Sequence, residues 1–282
     1  MSKIHMVAID LDGTLLNSAK QVTVTTAAIL RRARQEAGVH VVLASARPPR
    51  SVMPFYNLLD LDTPMICYNG ALVLDPPSGT VILHLPIAID IARDIVTLAR
   101  KEYPQVLVSA EILDRWCTDR LDPAFLTETG KVFNPDVIAP VDDWLTVPVT
   151  KLLLLGQPEP LLKVGRAIVQ AHPQQVNVMM TEDHLLQICH ATVSKAKALR
   201  AVAGELGVAS HEVMAIGDND NDVDMLQWAG IAVAMGNATP GVLAVADYVT
   251  AHHDADGAAN AILRLIIEGL PKKKGSKGKS GT

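Results

Sequence analysis

Apolar positions in the first third of the chain alternate between short continuous runs and sets at helical spacing. Continuous runs cover 4–9, 39–43 and 64–68, and helical segments cover 25–37 and 48–59. Continuous apolar runs of this length are typical of strands that are buried on both faces, as in a parallel sheet. The alternation of such strands with helices predicts an α/β fold: a Rossmann-like parallel-sheet core with helices on both faces.

The last third of the chain repeats this rhythm. Helices are predicted over 195–206, 222–228 and 258–268, and strands over 213–216 and 231–235. The shared pattern predicts that both ends of the chain build one core. A hairpin is predicted beside the first set of strands, where 71–74 and 80–83 flank a Pro-Ser-Gly turn.

The middle of the chain differs, with two helical and four strand-like segments. The helices are predicted over 87–100 and 161–172, and the strands over 106–110, 150–155, 176–180 and 185–188. This content is sufficient for a separate α/β domain inserted into the first. The predicted organisation is a discontinuous core of 1–84 and 190–270, an inserted domain of 85–189, and a disordered basic tail of 271–282.

Charge is unevenly distributed along the chain. The net charge is −5, but the tail has five lysines and no acid, which leaves 20 basic and 30 acidic residues in the body. An acidic body argues against a nucleic-acid partner, because affinity for nucleic acid rests mainly on phosphate neutralisation. No apolar run reaches the roughly 18 residues of a membrane span, so no membrane partner is expected. Three widely spaced cysteines favour the reducing cytoplasm over a disulfide framework.

Two acids follow the first predicted strand, in the sequence Asp10-Leu11-Asp12-Gly13-Thr14. The carboxyl ends of parallel strands line the ligand crevice of such a sheet, so both acids are placed for chemistry. Asp10 can present a nucleophilic carboxylate, and Asp12 can protonate a leaving oxygen and later activate a water. An ordinary Asp-Gly turn is the alternative interpretation. Acids that are buried without partners are costly, so the pair implies a cation.

A second acidic loop, Gly217–Asp222, follows the predicted strand 213–216. Its acids Asp218 and Asp222 are therefore expected at the same sheet edge as Asp10. Hard oxygen ligands with an incomplete protein shell suit Mg²⁺, which keeps several waters and shares phosphate oxygens. A calcium EF-hand loop is excluded, because the glycine and glutamate that it needs at its sixth and twelfth positions are missing.

Two more residues are placed to hold a phosphoryl group. Ser45 follows the predicted strand 39–43 and offers a hydroxyl with neighbouring backbone N–H groups. Lys195 opens the helix that leads into 213–216, so its ammonium can reach the same edge. Taken singly, a loop serine and a helix-start lysine are more often a cap and a solvated charge. A functional role is indicated because they form one ordered set with the acids. A transferring phosphoryl group needs hydrogen-bond donors for its oxygens, and these two residues can supply them.

This ordered set resembles the haloacid dehalogenase-like superfamily and, within it, the Cof-type sugar-phosphatase-like hydrolases. The similarity spans the chain to about residue 270. Its main motifs are Asp10-x-Asp12-Gly-Thr, Ser45-Ala46-Arg47, Tyr68-Asn69-Gly70-Ala71, Ser194-Lys195, Gly217-Asp218-x-x-Asn221-Asp222, Ala234-Met235-Gly236-Asn237-Ala238 and Asp256-Gly257. The family usually has Thr-Gly at Ser45-Ala46. Because serine keeps the hydroxyl, modest effects on rate or substrate are expected.

The resemblance implies a Mg²⁺-dependent phosphomonoester hydrolase that acts on a small phosphorylated metabolite, by default a sugar phosphate, through a phospho-aspartate. The inserted domain would be the cap that selects the leaving group. Asp10 would be the nucleophile and Asp12 the general acid/base. The implied Mg²⁺ ligands are Asp10, the backbone carbonyl of Asp12, Asp218 and, through water, Asp222. The implied phosphate-binding groups are the side chains of Ser45 and Lys195, backbone N–H groups near Leu11 and Ala46, and Asn221.

The alternatives are a related phosphotransferase and a non-catalytic regulatory or ligand-binding protein on the same scaffold. A phosphomutase of this superfamily typically has its cap between the first two motifs, where only about 30 residues stand here. A degenerate relative would be expected to lose Asp10, Asp12 or Lys195, and all three are present. The sequence also lacks the membrane helices of an ion pump, a P-loop and the Gly-x-Ser-x-Gly motif of serine hydrolases.

Overall fold

The computed structural model describes residues 3–127 and 129–269, and the chain divides into two compact units. The first comprises the described residues up to Arg47, Val52–Leu83 and those from Ser194 onward. The second comprises Pro48–Ser51 and His84–Val193. The second unit therefore begins and ends slightly outside the expected 85–189, and it takes in a short segment that was expected in the core. The predicted tail 271–282 lies outside the described residues.

Fourteen strands and nine α-helices follow one another in the described residues. The strands are β1 (Met6–Ile9), β2 (His40–Leu43), β3 (Met65–Cys67), β4 (Leu72–Asp75), β5 (Thr80–His84), β6 (Leu107–Ile112), β7 (Arg115–Thr118), β8 (Val137–Ile138), β9 (Lys151–Leu155), β10 (Val176–Glu182), β11 (Leu185–His190), β12 (Val213–Gly217), β13 (Ile231–Ala234) and β14 (Tyr248–Val249). The α-helices are α1 (Val24–Ala37), α2 (Pro49–Leu58), α3 (Ile89–Glu102), α4 (Val141–Trp144), α5 (Pro158–Ala171), α6 (Lys195–Glu205), α7 (Val223–Trp228), α8 (Pro240–Val245) and α9 (Gly257–Ile262).

Every predicted strand and helix is present, with small shifts at the ends. The predicted helix 258–268 is α-helical only to Ile262 and continues as a π-helical turn, Leu263–Ile267. The pattern did not predict β7, β8, β14, α4 or α8. These elements are only two to six residues long, which is too short for an apolar period to be recognised.

The first unit is built on a five-stranded sheet in the order β14-β13-β12-β1-β2, and all its pairs are parallel. Every residue of the interior strand β1 is buried, as expected for a sheet that is covered on both faces. Strands β3, β4 and β5 form a separate small sheet in that order, which confirms the predicted hairpin.

The strand register decides where the acidic residues meet. Ile9, the last residue of β1, pairs with Ile216 of β12 on one side and with Leu43 of β2 on the other. The chain segments that follow these three positions therefore leave the sheet at one edge. They begin at Asp10, at Gly217 and at Ala44, so the three motifs of the sequence start side by side.

The second unit contains a six-stranded sheet in the order β10-β11-β9-β6-β7-β8. All its pairs are antiparallel except β7 with β8. Apolar residues of α3 and α5, such as Ile95 and Val164, pack with Val108 and Leu154 of the sheet in one core cluster. The parallel core and this second α/β unit confirm the predicted fold class. None of the described helices is both long enough and apolar enough to cross a membrane.

Candidate active site

The centre of the site is a buried lysine between two carboxylates. Lys195 donates hydrogen bonds from Nζ to Oδ1 of Asp10 and to Oδ1 of Asp222, each at 2.6 Å. Its side chain is fully buried, and those of the two acids are at most 8% exposed. These residues are far apart in the sequence, and the fold joins them because Lys195 is the first residue of α6 and Asp10 directly follows β1.

The start of α6 is fixed by local contacts. Ser194 caps the helix by accepting a hydrogen bond on Oγ from the backbone N–H of Lys197 at 3.0 Å. Gly70 packs so closely that a Cβ there would lie 2.3 Å from the carbonyl oxygen of Ser194, and its φ is +98°. Only glycine fits this position without strain, so the Asn69-Gly70 turn holds the helix, and therefore Lys195, at the sheet edge.

A third carboxylate completes the group. Oxygens of Asp10, Asp218 and Asp222 lie within 4.8 Å of one another, which is a spacing that one metal ion can bridge. Asp222 shapes the loop that carries Asp218, because its Oδ2 accepts hydrogen bonds from the backbone N–H groups of Asp218 and Asn219 at 3.0 and 3.1 Å. Thr14 donates to Oδ1 of Asp218 at 2.8 Å.

The electrostatics of this group favour a bound cation. Burial raises the pKa of the Asp10 carboxyl to about 8; Lys195 opposes this rise, and Asp222 and Asp218 add to it. Burial also raises the pKa of Asp218. Burial alone would lower the pKa of Lys195, but Asp10 and Asp222 raise it above its ordinary value. Three carboxylates therefore share one ammonium, and hard oxygen donors with unbalanced negative charge fit Mg²⁺.

Asp12 has an entirely different environment. Arg47 donates to it in a bidentate fork, from Nε to Oδ2 and from Nη2 to Oδ1, both at 2.7 Å. Lys20 donates from Nζ to Oδ1, also at 2.7 Å. Partial burial would raise the pKa of Asp12, but the hydrogen bonds from Arg47 and Lys20 lower it to about 2. The Asp12 carboxylate is therefore ionised, and it is not among the carboxylates that lie around Lys195.

The residues expected to bind phosphate lie at the same edge. Ser45 is buried, and its own N–H donates to the carbonyl oxygen of Ile66 at 2.9 Å. Its Oγ accepts from the backbone N–H of Arg47 at 3.1 Å. Both of these N–H groups are therefore engaged within the protein, so of the N–H groups near Ser45 only that of Ala46 stays a predicted phosphate donor.

Leu11 and Asn221 have supporting contacts. The carbonyl oxygen of Leu11 accepts N–H groups of Leu15 and Leu16 at 3.1 and 2.9 Å, which folds the turn after β1. Asn221 donates from Nδ2 to Oδ1 of Asn69 at 2.9 Å. This bond ties the acidic loop to the turn that holds α6. The roles of Leu11, Ala46, Ser45 and Asn221 in binding phosphate stay predictions.

The structure also shows supporting residues to which the sequence reasoning gave no role. Asn237 donates from Nδ2 to the carbonyl oxygen of Gly13 at 2.8 Å, and Thr14, Arg47 and Asn69 make the contacts described above. These four residues stand inside the motifs that carry the family resemblance, so the motifs themselves were the available signal. Lys20 lies outside every motif, and nothing in the sequence marked it.

A second group of possible metal ligands lies nearby and is less suited to a cation. His252, His253 and Asp254 have ligand atoms within 4.8 Å of one another. However, Nδ1 of His252 accepts the N–H of Asp254 at 3.2 Å, and Nδ1 of His253 lies 2.9 Å from the carbonyl oxygen of Leu16. These ring nitrogens are already engaged, so the group around Asp10 is the stronger candidate.

Comparison with known proteins identifies the family of the chain. The model of the haloacid dehalogenase-like hydrolase family matches residues 7–262. The chain is similar to YxeH of Bacillus subtilis, with 31% identity over 93% of this chain and 98% of that protein. It is 28% identical to 5-amino-6-(5-phospho-D-ribitylamino)uracil phosphatase YitU of the same organism, over 92% of this chain and 96% of that one.

A crystal structure of a haloacid dehalogenase-like hydrolase from Bacteroides thetaiotaomicron superposes with a TM-score of 0.85 and 28% identity, covering 93% of this chain and all of that one. The chain therefore belongs to the haloacid dehalogenase-like hydrolase family, as its motifs predicted. Within that family it is a Cof-type hydrolase of the phosphatase class.

Proposed function

We propose that this phosphatase is a Mg²⁺-dependent phosphomonoester hydrolase of the cytoplasm that transfers the phosphoryl group of a small metabolite to Asp10. The main support is the convergence of Asp10, Asp218 and Asp222 around the buried ammonium of Lys195. A sugar phosphate is the proposed substrate class, as the Cof-type resemblance implies. The relative YitU, named for its action on a phosphorylated small molecule, supports a small phosphate ester more generally.

The first half of the reaction uses Asp10 as the nucleophile. One carboxylate oxygen attacks phosphorus, the bond from phosphorus to the leaving oxygen breaks, and the electron pair stays on that oxygen. Asp12 donates the proton that converts the leaving oxygen to an alcohol. Lys195, together with Ser45, Asn221 and the backbone N–H groups near Leu11 and Ala46, binds the phosphoryl oxygens, on which negative charge is concentrated.

The second half reverses these roles. The Asp12 carboxylate takes a proton from water, the water oxygen bonds to phosphorus, and the bond between phosphorus and Asp10 breaks to release phosphate. The clamp of Arg47 and Lys20 keeps Asp12 ionised, which is the form that this half requires. For the first half, Asp12 must carry a proton on one oxygen, so the hydrogen bond from Nε of Arg47 to Oδ2 has to be released when substrate binds, while Oδ1 keeps its donors.

The ion would be held by Asp10, Asp218 and the backbone carbonyl of Asp12. Asp222 would act through water, because its oxygens already accept three hydrogen bonds. A bound Mg²⁺ supplies positive charge that neutralises phosphate oxygens and lowers the pKa of nearby carboxyl groups. This charge would keep Asp10 ionised, which a nucleophile requires, in spite of its burial.

The decisive experiment compares the parent with Asp10→Asn, using p-nitrophenyl phosphate as the probe. The parent is expected to turn over with millimolar Mg²⁺ and to lose activity in EDTA. Acid-quenched parent enzyme should contain one added phosphoryl group on the peptide with Asp10. Asp10→Asn should lose turnover by at least about 1,000-fold, since removing a nucleophile leaves only binding and electrostatic effects, and should keep its circular-dichroism spectrum.

Two results would contradict the proposal. Parent-like phosphate release by Asp10→Asn would show that another group is the nucleophile. Full activity of the parent in a metal-free, chelated assay would remove Mg²⁺ from the scheme. A panel of sugar phosphates and other phosphomonoesters, ranked by kcat/KM, then tests the proposed substrate class.

A further inference from the structure

The clamp of Arg47 and Lys20 around Asp12 has one exposed side. Arg47 occupies both oxygens of Asp12, and Lys20 adds a second hydrogen bond on Oδ1 at 2.7 Å. The Lys20 side chain is 63% exposed, whereas that of Arg47 is 25% exposed. A solvated ion pair of this kind contributes little to stability, so stability alone does not account for the ordered position of Lys20.

Lys20 is held in place by its turn. The backbone N–H of Lys20 donates to the carbonyl oxygen of Asn17 at 2.8 Å, and the N–H of Asn17 donates to Gln21 at 3.0 Å. Oδ1 of Asn17 also accepts the N–H of Gln21 at 2.9 Å. Ser18 anchors the turn to Asp254, to which both its N–H and its hydroxyl donate at 2.7 Å.

The backbone of Lys20 lies in the left-handed region, with φ of +58°. Glycine and asparagine adopt this conformation more easily than lysine. The turn would therefore form at least as well with glycine at position 20. A residue held in a disfavoured conformation whose side chain reaches a reacting carboxylate suggests a functional reason for its presence.

We propose that Lys20 is a positioning residue for the general acid/base, Asp12. This inference rests on the proposed function, because it assigns Asp12 the proton transfer to the leaving oxygen. Arg47 fixes the plane of the Asp12 carboxylate from one side, and Lys20 fixes Oδ1 from the solvent side. Loss of Lys20 leaves Asp12 held by Arg47 alone and less firmly positioned on its solvent side, and a general acid acts only when its proton is within hydrogen-bond reach of the leaving oxygen.

The consequence depends on the leaving group, which gives a specific test. The p-nitrophenolate ion is stable enough to leave without a proton, whereas benzyl alkoxide needs one as its bond to phosphorus breaks. Lys20→Met should therefore lower kcat/KM for benzyl phosphate about tenfold more than for p-nitrophenyl phosphate. Phenyl phosphate, with an intermediate leaving group, should fall between them. A purely structural role would lower all three esters alike.

Matched variants separate this role from other effects. Lys3→Met removes an exposed lysine that precedes the amino end of β1, opposite the site. It should leave the ratios of kcat/KM among the three esters unchanged. Lys20→Arg should restore most of the parent ratio, because it keeps a cation donor. Lys20→Gly should show the kinetic defect of Lys20→Met while its Tm is at or above that of the parent.

A double-mutant cycle tests whether Lys20 acts through Asp12. In an Asp12→Asn background, adding Lys20→Met should change the ester ratio by less than about twofold, since the group that it positions is gone. An undiminished effect in that background, an equal loss on all three esters, or no loss on benzyl phosphate would overturn the proposal. If the parent itself neither turns over p-nitrophenyl phosphate nor forms phospho-Asp10, the proposed function fails instead.

Discussion

Asp10 and Asp12 are two residues apart in the chain, and their surroundings are opposite. Asp10 is buried against Lys195 with two more carboxylates nearby, and its pKa is raised to about 8. Asp12 is half-buried, carries the fork of Arg47 and the ammonium of Lys20, and its pKa is lowered to about 2. At Asp10, the rise in pKa from burial is larger than the lowering by Lys195, which is shared with Asp222. At Asp12, the lowering of the pKa by Arg47 and Lys20 is larger than the rise from burial.

The difference indicates how neighbouring carboxylates take different roles. Asp10 needs additional positive charge to be ionised, so its reactivity is expected to depend on a metal ion. Asp12 has its positive charge within the protein, so its ionisation does not. The contrast therefore supports different roles for the two residues.

The largest effect is expected from removing the buried cation. Lys195→Met leaves Asp10 and Asp222 buried without their shared partner and should lower the free energy of unfolding by about 3–5 kcal/mol. The matched change on the exposed side, Lys20→Met, should cost about 1 kcal/mol or less. Urea denaturation of both variants and the parent, at pH 7 in a chelator, gives the two values.

A control variant separates charge from packing. Lys195→Met combined with Asp222→Asn removes one of the uncompensated carboxylates and should recover part of the lost stability. The contrast between the two sides would be broken if Lys195→Met cost no more than Lys20→Met. It would be weakened if the double variant were less stable than Lys195→Met alone.

The sequence predicted one side of this contrast and not the other. Asp10, Asp218, Asp222 and Lys195 were predicted to meet, because strands of a parallel sheet end at one edge and a motif set orders them. The residues that clamp Asp12 could not be assigned. Whether the side chain of Arg47 points toward Asp12 or toward solvent depends on side-chain geometry. The spacing of apolar residues in the sequence carries no information about that geometry.

Lys20 is the clearest example of a site residue that the sequence could not predict. Its contact depends on a left-handed backbone at a position where the sequence has lysine rather than glycine, so turn chemistry gave no signal. In the same way, the short elements β7, β8, β14, α4 and α8 are fixed by tertiary packing rather than by local pattern. The long, buried elements were predictable because their apolar period is set by the sheet and helix faces that they cover.

An intermediate effect is expected at Gly13, which follows Asp12 in the sequence and packs against Asp218. A Cβ at this position would lie 2.3 Å from Oδ2 of Asp218, and φ is +83°. Gly13→Ala should therefore displace Asp218, lower the free energy of unfolding by about 1–2 kcal/mol or more, and raise the Mg²⁺ concentration needed for half-maximal activity. Titration of activity with Mg²⁺ and urea denaturation measure the two effects.

Gly79→Ala is the matched control for Gly13→Ala. Gly79 has φ of +70°, and a Cβ there would meet no atom within 4 Å. Gly79→Ala should lower the free energy of unfolding through backbone strain, as Gly13→Ala does, without changing the Mg²⁺ concentration needed for half-maximal activity. An equal shift in Mg²⁺ requirement for both variants would show that Asp218 is not displaced, and it would remove the link between this turn and the metal ligands.

The smallest expected effect is the contribution of Asp12 to stability at low pH. Its folded pKa of about 2 lies below its ordinary value of 3.8, so between these values the unfolded chain binds more protons than the folded one. The stabilisation is therefore present above pH 4 and is lost as the pH falls toward 2. Because the Asp12 side chain is 39% exposed, the effect should be below about 1 kcal/mol.

The test of this last prediction is urea denaturation of the parent, Asp12→Asn and Asp10→Asn between about pH 8 and 2.5. The difference in the free energy of unfolding between the parent and Asp12→Asn should narrow as the pH falls below 5. Asp10→Asn should change the pH dependence of this free energy in the opposite sense. The raised pKa of Asp10 means that the folded protein binds the extra proton between about pH 4 and 8, so the parent loses stability as the pH rises through that range and Asp10→Asn does not. Parallel curves for the two variants would show that the carboxylates share one environment, and the division of roles between them would then lose its physical basis.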